Sequence, residues 1–306
     1  MRAIITTGHG DLHVIETSVP EPGPGELRIA VTAAGVNSFD IAVRSGVFHQ
    51  LGWITQTDQT GLGWDLAGTV HALGSGVDGP SVGTPVAAML DNFDVTLGAY
   101  AEFAIAPAAG VAVLPGGVDP IAAATVPTNA LTADQALDLI DPANLIDAKG
   151  GSQLLITGAG GAVGGYAVTL AARRGWQVTA LARSTDEEFL RAAGAARVLT
   201  ELPATGGGFD AVFDAAVLVG PAIAAVRDSG SYLGVKPSDL PGSQRGITTV
   251  AVTSHHDGTR LAALLELVAT GDLPTRIAGT LPLADAEQAH VNTSKGGQRG
   301  RWVLLP

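Results

Sequence analysis

The sequence predicts an α/β protein of two domains: a β-rich, barrel-like domain and a cofactor domain built on a doubly wound parallel sheet. Three observations predict it. First, the strand-like run Leu154-Leu155-Ile156-Thr157 leads into Gly158-Ala159-Gly160-Gly161-Ala162-Val163-Gly164-Gly165, and Tyr166 to Ala172 follows as a helix. Second, this cluster lies half-way along a chain of 306 residues, a length that suits two domains of about 150 residues each. Third, the texture changes across the chain: short strands punctuated by glycine and proline come first, and strands alternating with helices follow from Gln153.

In order, residues 12–16, 26–33, 69–73, 85–89 and 100–105 are strand-like, separated by turn clusters such as Pro20-Glu21-Pro22-Gly23-Pro24-Gly25 and Gly74-Ser75-Gly76. Such a pattern predicts a compact, partly antiparallel barrel. Residues 121–140 are alanine-rich and helical in period. Six strands are expected at 153–157, 177–182, 196–199, 210–214, 231–235 and 247–252, the count and alternation of a doubly wound sheet. A helix near 259–270, a short acidic helix at 285–292 and a strand at 301–305 close the chain. The last strand is expected to rejoin the first domain. No internal repeat is present.

Composition narrows the function. Hydrophobic residues make up 46 % and charged residues 15 %, enough for a sizeable core. A net charge of −12 argues against a nucleic-acid or anionic-membrane partner. An anionic cofactor must therefore be held by a local cluster of donors. The absence of cysteine excludes disulfides, thiolate zinc sites and a cysteine nucleophile. Met1 to Thr6 is too short an apolar run for a signal peptide. No run of about 18 apolar residues lacks turn formers, so a cytoplasmic protein is expected.

Strand, tight turn and helix start place a pyrophosphate on backbone N–H groups at a helix N-terminus. The spacing here is Gly158-x-x-Gly161-x-x-Gly164 rather than the strict dinucleotide fingerprint. An ordinary glycine-rich turn is the alternative, and the six strands that follow weigh against it. At the end of the second of those strands an NAD site wants a carboxylate for the ribose 2′-hydroxyl. The chain has Arg183-Ser184-Thr185 instead, and a guanidinium with hydroxyls suits a 2′-phosphate. NADPH is thus expected over NADH, with a solvated surface arginine as the plainer account of Arg183. Asp186, Glu187 and Glu188 read as the acidic first turn of the next helix.

Seven elements in register resemble the medium-chain dehydrogenase/reductases, in particular the zinc-free quinone oxidoreductase (zeta-crystallin-like) branch. They are Ala34-Gly35-Val36-Asn37-Ser38-Phe39-Asp40 with Arg44-Ser45-Gly46, Gly63 to Val70, Gly98 to Phe103, Ala130-Leu131-Thr132-Ala133, the glycine cluster, Phe209 to Asp214, and Arg299 to Leu304. The resemblance implies a GroES-like substrate domain over 1–122 and 257–306, a Rossmann domain over 123–256, a cleft between them, and a homodimer. It also implies that Asn37 and Thr132 contact the nicotinamide ribose or carboxamide. Gly158, Gly160, Gly161, Ala162 and Val163 would line the pyrophosphate, and Arg183 and Ser184 would take the 2′-phosphate. Zinc-dependent relatives place cysteine where Val36-Asn37-Ser38 stands and a His-Glu pair where Trp64-Asp65 stands. The chain also departs from the quinone oxidoreductases. Tyrosines common there read Ala42, Phe48 and Thr200, and a cofactor-binding lysine gives way to acidic residues near Glu187. A proton donor is therefore not named by the resemblance.

Without a metal the chemistry must suit a conjugated carbonyl, a quinone or an enone, whose reduced anion is stabilised by donors. Asn37 is the candidate donor. Asp40 is a candidate acid–base group, and equally an N-cap or the i+4 partner of Arg44. His49 is a weaker candidate beside a surface role. Phe48, Leu51, Trp53 and Trp64 offer an apolar wall for a flat ring, with core packing as the alternative for Trp64. Tyr232 and Lys236 have the Tyr-x-x-x-Lys spacing of short-chain dehydrogenases, but they lie in a strand pattern ending at Pro237. Lys236 remains a candidate cofactor contact from a strand end. The alternative from another class is an NADPH-binding sensor or structural protein with little redox activity.

Overall fold

A computed structural model describes residues 1–140, 152–203, 208–297 and 299–306. The chain forms two compact units, one of Met1–Thr128, His255–Gly271 and Thr275–Pro306, the other of Asn129–Ser254 and Asp272–Pro274. In chain order the first part holds β1 (Arg2–Thr6), β2 (His13–Glu16), β3 (Glu26–Gly35), α1 (Ser38–Arg44), α2 (Val47–Gln50), β4 (Thr60–Gly61), β5 (Asp65–Leu73), β6 (Pro85–Met89), β7 (Phe103–Pro107) and β8 (Val111–Val113). Then come α3 (Pro120–Ala123), α4 (Pro127–Asp138), β9 (Gln153–Thr157), α5 (Ala162–Arg173), β10 (Gln177–Leu181), α6 (Glu187–Ala192), β11 (Arg197–Leu199), β12 (Phe209–Asp214), α7 (Gly220–Ala225), β13 (Val226–Gly234) and β14 (Thr248–Ala251). The chain ends with α8 (Gly258–Ala269), β15 (Ile277–Pro282), α9 (Ala286–Ser294) and β16 (Arg301–Leu305).

In the second unit the six strands run parallel in the order β11-β10-β9-β12-β13-β14. Renumbered from β9 this is 3-2-1-4-5-6, the doubly wound dinucleotide-binding order, whose switch point lies outside the carboxyl ends of β9 and β12. The central strands are buried on both faces, so they read as unbroken apolar runs: Leu154, Leu155, Ile156, Ala211, Val212 and Phe213 are all inaccessible.

The first unit is predominantly antiparallel. A seven-stranded sheet runs β15-β16-β3-β5-β6-β8 with β7 also on β3, beside a three-stranded sheet β2-β1-β4. β16 does rejoin this unit, pairing Val303 with Gly35 and Leu304 with Ala34. Two irregularities in the β3–β5 ladder, at Arg28/Ile29 and Val31/Ala33, let the sheet curl around a core that includes Ile4, Leu27, Ile29, Leu62, Leu66 and Tyr100.

The helical stretch expected over 121–140 is two helices. Pro127 opens α4 and disfavours a helical residue before it, so α3 stops at Ala123. The Thr125 hydroxyl donates to the Ala122 carbonyl at 2.8 Å across the break. Gly35 matters at this point, since a Cβ there would lie 2.3 Å from the Ala124 carbonyl oxygen. That close approach brings the end of α3 against the end of β3. Among the described residues no helix is long and apolar enough to cross a membrane.

Candidate active site

Asn37 caps α1, and the Asp40 carboxylate three residues on accepts the Asn37 backbone N–H at 2.7 Å, the return bond of a capping box. The other Asp40 oxygen accepts the Gly63 N–H at 2.9 Å. Asp40 is thus the N3 partner in the capping box, and the N-cap expected of it is Asn37. Arg44 turns elsewhere, to the Gly10 carbonyl at 2.7 Å and Glu287 at 3.0 Å. The Asn37 side-chain amide donates to Asp65 at 2.9 Å. The second Asp65 oxygen accepts the Thr128 backbone N–H at 2.8 Å and its hydroxyl at 2.6 Å.

These groups are buried, Asp40 and Asp65 wholly so. Burial pushes the Asp40 carboxyl up to about 7, and the negative charge of Asp65 adds to it against the pull of the Asn37 and Gly63 N–H groups. Burial likewise raises Asp65, to about 6, against its hydrogen bonds from Thr128 and Asn37. Tyr100 is buried beside the pair, and its hydroxyl is held well above the ordinary phenol range by burial and by the charge of Asp40.

An aromatic cluster adjoins this pair. Phe39 lies 4.5 Å from Phe48, 5.0 Å from Trp64 and 5.5 Å from Phe93 between ring centroids. Trp53 packs on Phe48 at 5.2 Å and on Phe93 at 6.2 Å. The expected wall divides: Phe48 and Trp64 are buried, whereas Trp53 is 50 % and Leu51 55 % exposed. Phe93 was not foreseen, being a lone aromatic in the polar run Asp91-Asn92-Phe93-Asp94. Asp94 fixes that run by accepting the Thr55 N–H and hydroxyl at 2.9 and 2.7 Å. His49 packs its ring on Gly8, where a Cβ would lie 2.6 Å away, and meets the Thr60 hydroxyl at 3.2 Å.

In the parallel-sheet unit the glycine loop joins β9 to α5. Gly158 has φ +60°, a conformation that glycine adopts freely. A Cβ on Gly164 would lie 2.3 Å from the Gly158 carbonyl oxygen, so the third glycine lets the helix start fold back on the turn. Gly161 is the N-cap of α5, makes no side-chain cap, and is followed by Ala162 and Val163 in the first turn. The N–H groups of that turn are the donors a pyrophosphate needs. Arg183 and Ser184 stand at the end of β10, in the turn into α6. Asp186 is buried, and its carboxylate oxygen lies 2.7 Å from where a Gly160 Cβ would be. It thus abuts the glycine loop rather than standing in a solvated helix turn.

Behind the loop, buried Asp214 gathers three strand ends. It accepts the Thr157 hydroxyl at 2.5 Å, the Tyr232 hydroxyl at 2.8 Å and the Val219 N–H at 2.8 Å. Tyr232 is therefore committed to a structural bond. Burial, with Asp214 beside it, moves its hydroxyl far above neutrality, the opposite of an activated tyrosine. Lys236 is exposed and paired with Asp239 at 2.7 Å. The Thr132 hydroxyl donates to Ser254 at 2.9 Å. The structure thus brings Asn37, Asp40 and Asp65 together in one unit and the glycine loop, Asp186 and Asp214 in the other.

Two family models match the chain: an alcohol dehydrogenase GroES-like domain over residues 23–116 and a zinc-binding dehydrogenase over residues 191–304. Among the described residues the second name's zinc finds no ready ligand set. Asp65 is filled by Thr128 and Asn37, and no group of three or more metal-ligating side chains occurs among the described residues. The chain is 35 % identical over 203 residues to a chloroplastic quinone-oxidoreductase homolog of Spinacia oleracea, a match spanning 65 % of this chain and 60 % of that protein. It is 28 % identical to the chloroplastic quinone-oxidoreductase QR1 of Triphysaria versicolor, over 100 % of this chain and 98 % of that one. The quinone oxidoreductase of Coxiella burnetii superposes with a TM-score of 0.88 at 27 % identity, covering 100 % of this chain and 99 % of that one. A mycobacterial protein solved in complex with NADPH superposes with a TM-score of 0.80 at 26 % identity, covering 100 % of both chains. With a GroES-like unit, a nicotinamide-binding parallel sheet and these relatives, the chain belongs to the quinone oxidoreductase branch of the medium-chain dehydrogenase/reductases.

Proposed function

We propose that the protein is an NADPH-dependent reductase that transfers hydride to a conjugated carbonyl, a quinone or an enone, without a metal. The observation that carries this reading is the pairing of the glycine loop at the sheet's switch point with Arg183 and Ser184 at the end of β10. Those are the donors for a pyrophosphate and a 2′-phosphate. The quinone oxidoreductase relatives and the NADPH-bound neighbour support it. When bound, the dihydronicotinamide supplies the hydride. The chain's own residues orient the acceptor and hold its developing charge. Asp65 takes one hydrogen of the Asn37 amide and so fixes the plane of that amide. An amide held in this plane is the candidate donor toward a carboxamide or an acceptor oxygen. Half-exposed Trp53 with Phe93 offers a flat ring an apolar face.

The test is NADPH oxidation against 1,4-benzoquinone, 9,10-phenanthrenequinone and short enones. Turnover is expected on at least one class. Tight NADPH binding with no turnover on any acceptor favours a sensor or structural role instead. Arg183→Ala is expected to raise the KM for NADPH about tenfold or more while leaving that for NADH nearly unchanged, since a guanidinium–phosphate contact is worth about 1.5–3 kcal/mol. A second reading, NADH as the cofactor, draws on the Asp186 carboxylate at the glycine loop. Equal effects of Arg183→Ala on the two cofactors would favour it.

A further inference from the structure

A histidine outside the groups considered so far is held in the manner of a general acid. His256 lies in the segment that leads into α8, and Asp91 follows the end of β6 by two residues. One Asp91 oxygen accepts the His256 backbone N–H at 2.9 Å, and the other meets ring Nδ1 at 2.8 Å. Burial opposes ionisation of Asp91, but the hydrogen bonds and the ring charge of His256 outweigh it and hold the carboxyl below its ordinary value. A carboxylate on Nδ1 fixes the tautomer and plane of the ring and turns Nε2 outward. The ring is further confined by Gly110, where a Cβ would lie 3.0 Å from the His256 Cβ and 3.1 Å from its Cγ. The side chain is nevertheless 30 % exposed, so Nε2 is not sealed in a core.

The dyad stands next to the candidate site within the same unit. Asp65 pairs with Met89 in the β5–β6 ladder, and the Leu90 N–H donates to the Trp64 carbonyl at 2.7 Å. Asp91 is the next residue, and Phe93 of the aromatic cluster follows two positions on. Asp91 is the titratable group bonded to the His256 ring, and in the same segment stand His255 and the Asp257–Arg260 pair, 3.3 Å apart. The turn Ala108–Gly110 and β8 bring no charged or titratable group.

We propose that His256 is the catalytic proton donor of the reductase and Asp91 its positioning residue, an inference that rests on the reductase reading above. Hydride adds to the β-carbon of the enone with its electron pair, the Cα=Cβ π pair shifts between the α-carbon and the carbonyl carbon, and the carbonyl π electrons move to oxygen. The Nε2–H bond of the imidazolium then breaks as an O–H bond forms on that oxygen, the enol tautomerises in water to the saturated ketone, and a solvent proton returns to the ring. Asp91 remains a carboxylate throughout. For a quinone the same step is far less demanding, because the product is a stable phenolate that takes its proton from solvent.

The experiment compares a short enone with 1,4-benzoquinone in the wild type, His256→Asn and Asp91→Asn. For the enone, His256→Asn is expected to lower kcat about 100-fold and Asp91→Asn about tenfold, in line with general acid catalysis. NADPH affinity is expected to stay within about threefold, and quinone kcat to fall by less than enone kcat. The pH profile of the enone kcat should differ between the wild type and His256→Asn, which lacks the donor. Exogenous imidazole should restore part of the rate to His256→Ala. An unchanged enone kcat and pH profile in His256→Asn would overturn the proposal while leaving the reductase reading intact. If His256→Asn does not fold, an Asp91→Asn enzyme with wild-type enone kcat and pH profile overturns it equally. A wild type that binds NADPH but reduces neither acceptor overturns the reductase reading and this one with it.

Discussion

Asp40 shows how much one side chain holds at the start of α1. Its two oxygens satisfy the backbone N–H groups of Asn37 and of Gly63, the latter 23 residues from Asp40 in the chain, in a fully buried setting. Asp40→Ala strands both donors, at about 1–3 kcal/mol each. We expect a loss of about 2–6 kcal/mol, read as a lower urea midpoint with an unchanged slope. A capping role for Asp40 was legible because caps are local in sequence, but it was read as the N-cap, whereas Asn37 is the N-cap and Asp40 its N3 partner. The Asn37–Asp65 bond was not legible, since nothing local links residues 28 apart. The approach of Asp186 to Gly160 escaped for the same reason: its neighbours Glu187 and Glu188 made it look like one more acidic residue of a helix turn.

At the scale of elements, the parallel sheet was the most legible part. Each of its strands is buried on both faces or bounded by clear turns, and all six expected runs are present. The barrel-like unit was less so. β4 has two residues and β8 three, too short for any period to register, and β15 joins through a parallel pairing with β16 that no local pattern announces. The glycine loop offers the sharpest test of an element. Gly164→Ala would press a Cβ to 2.3 Å from the Gly158 carbonyl oxygen, so the turn must open. We expect NADPH affinity, measured by fluorescence titration, to fall at least tenfold and the Tm to drop by several degrees. Gly220→Ala at the start of α7, where a Cβ meets nothing within 4 Å, is the control, and it should be neutral or slightly stabilising.

Across the whole molecule, charge and burial act in the same direction with pH. The chain carries a net charge of −12, and two of its carboxyls are buried with raised pKa, Asp40 to about 7 and Asp65 to about 6. A carboxyl whose folded pKa lies above its unfolded value of 3.8 binds its proton more tightly in the folded state. Its contribution is fully present below about pH 4 and is lost as pH rises through the folded value. His290 acts in the opposite sense, since burial depresses it to about 4 and its contribution is lost as pH falls from 6.5. It is common to the wild type and to any Asp40 variant, so it cancels in their comparison. Wild-type stability, measured by urea unfolding, should therefore decline between pH 5.5 and 8.0. Asp40→Asn starts lower, because one amide oxygen replaces two carboxylate acceptors, but its decline should be shallower by about 2 kcal/mol. Parallel curves for the two proteins would mean that Asp40 is ionised in the folded state throughout this range. The buried pair would then be a fixed negative charge behind Asn37 instead of one that changes across neutral pH.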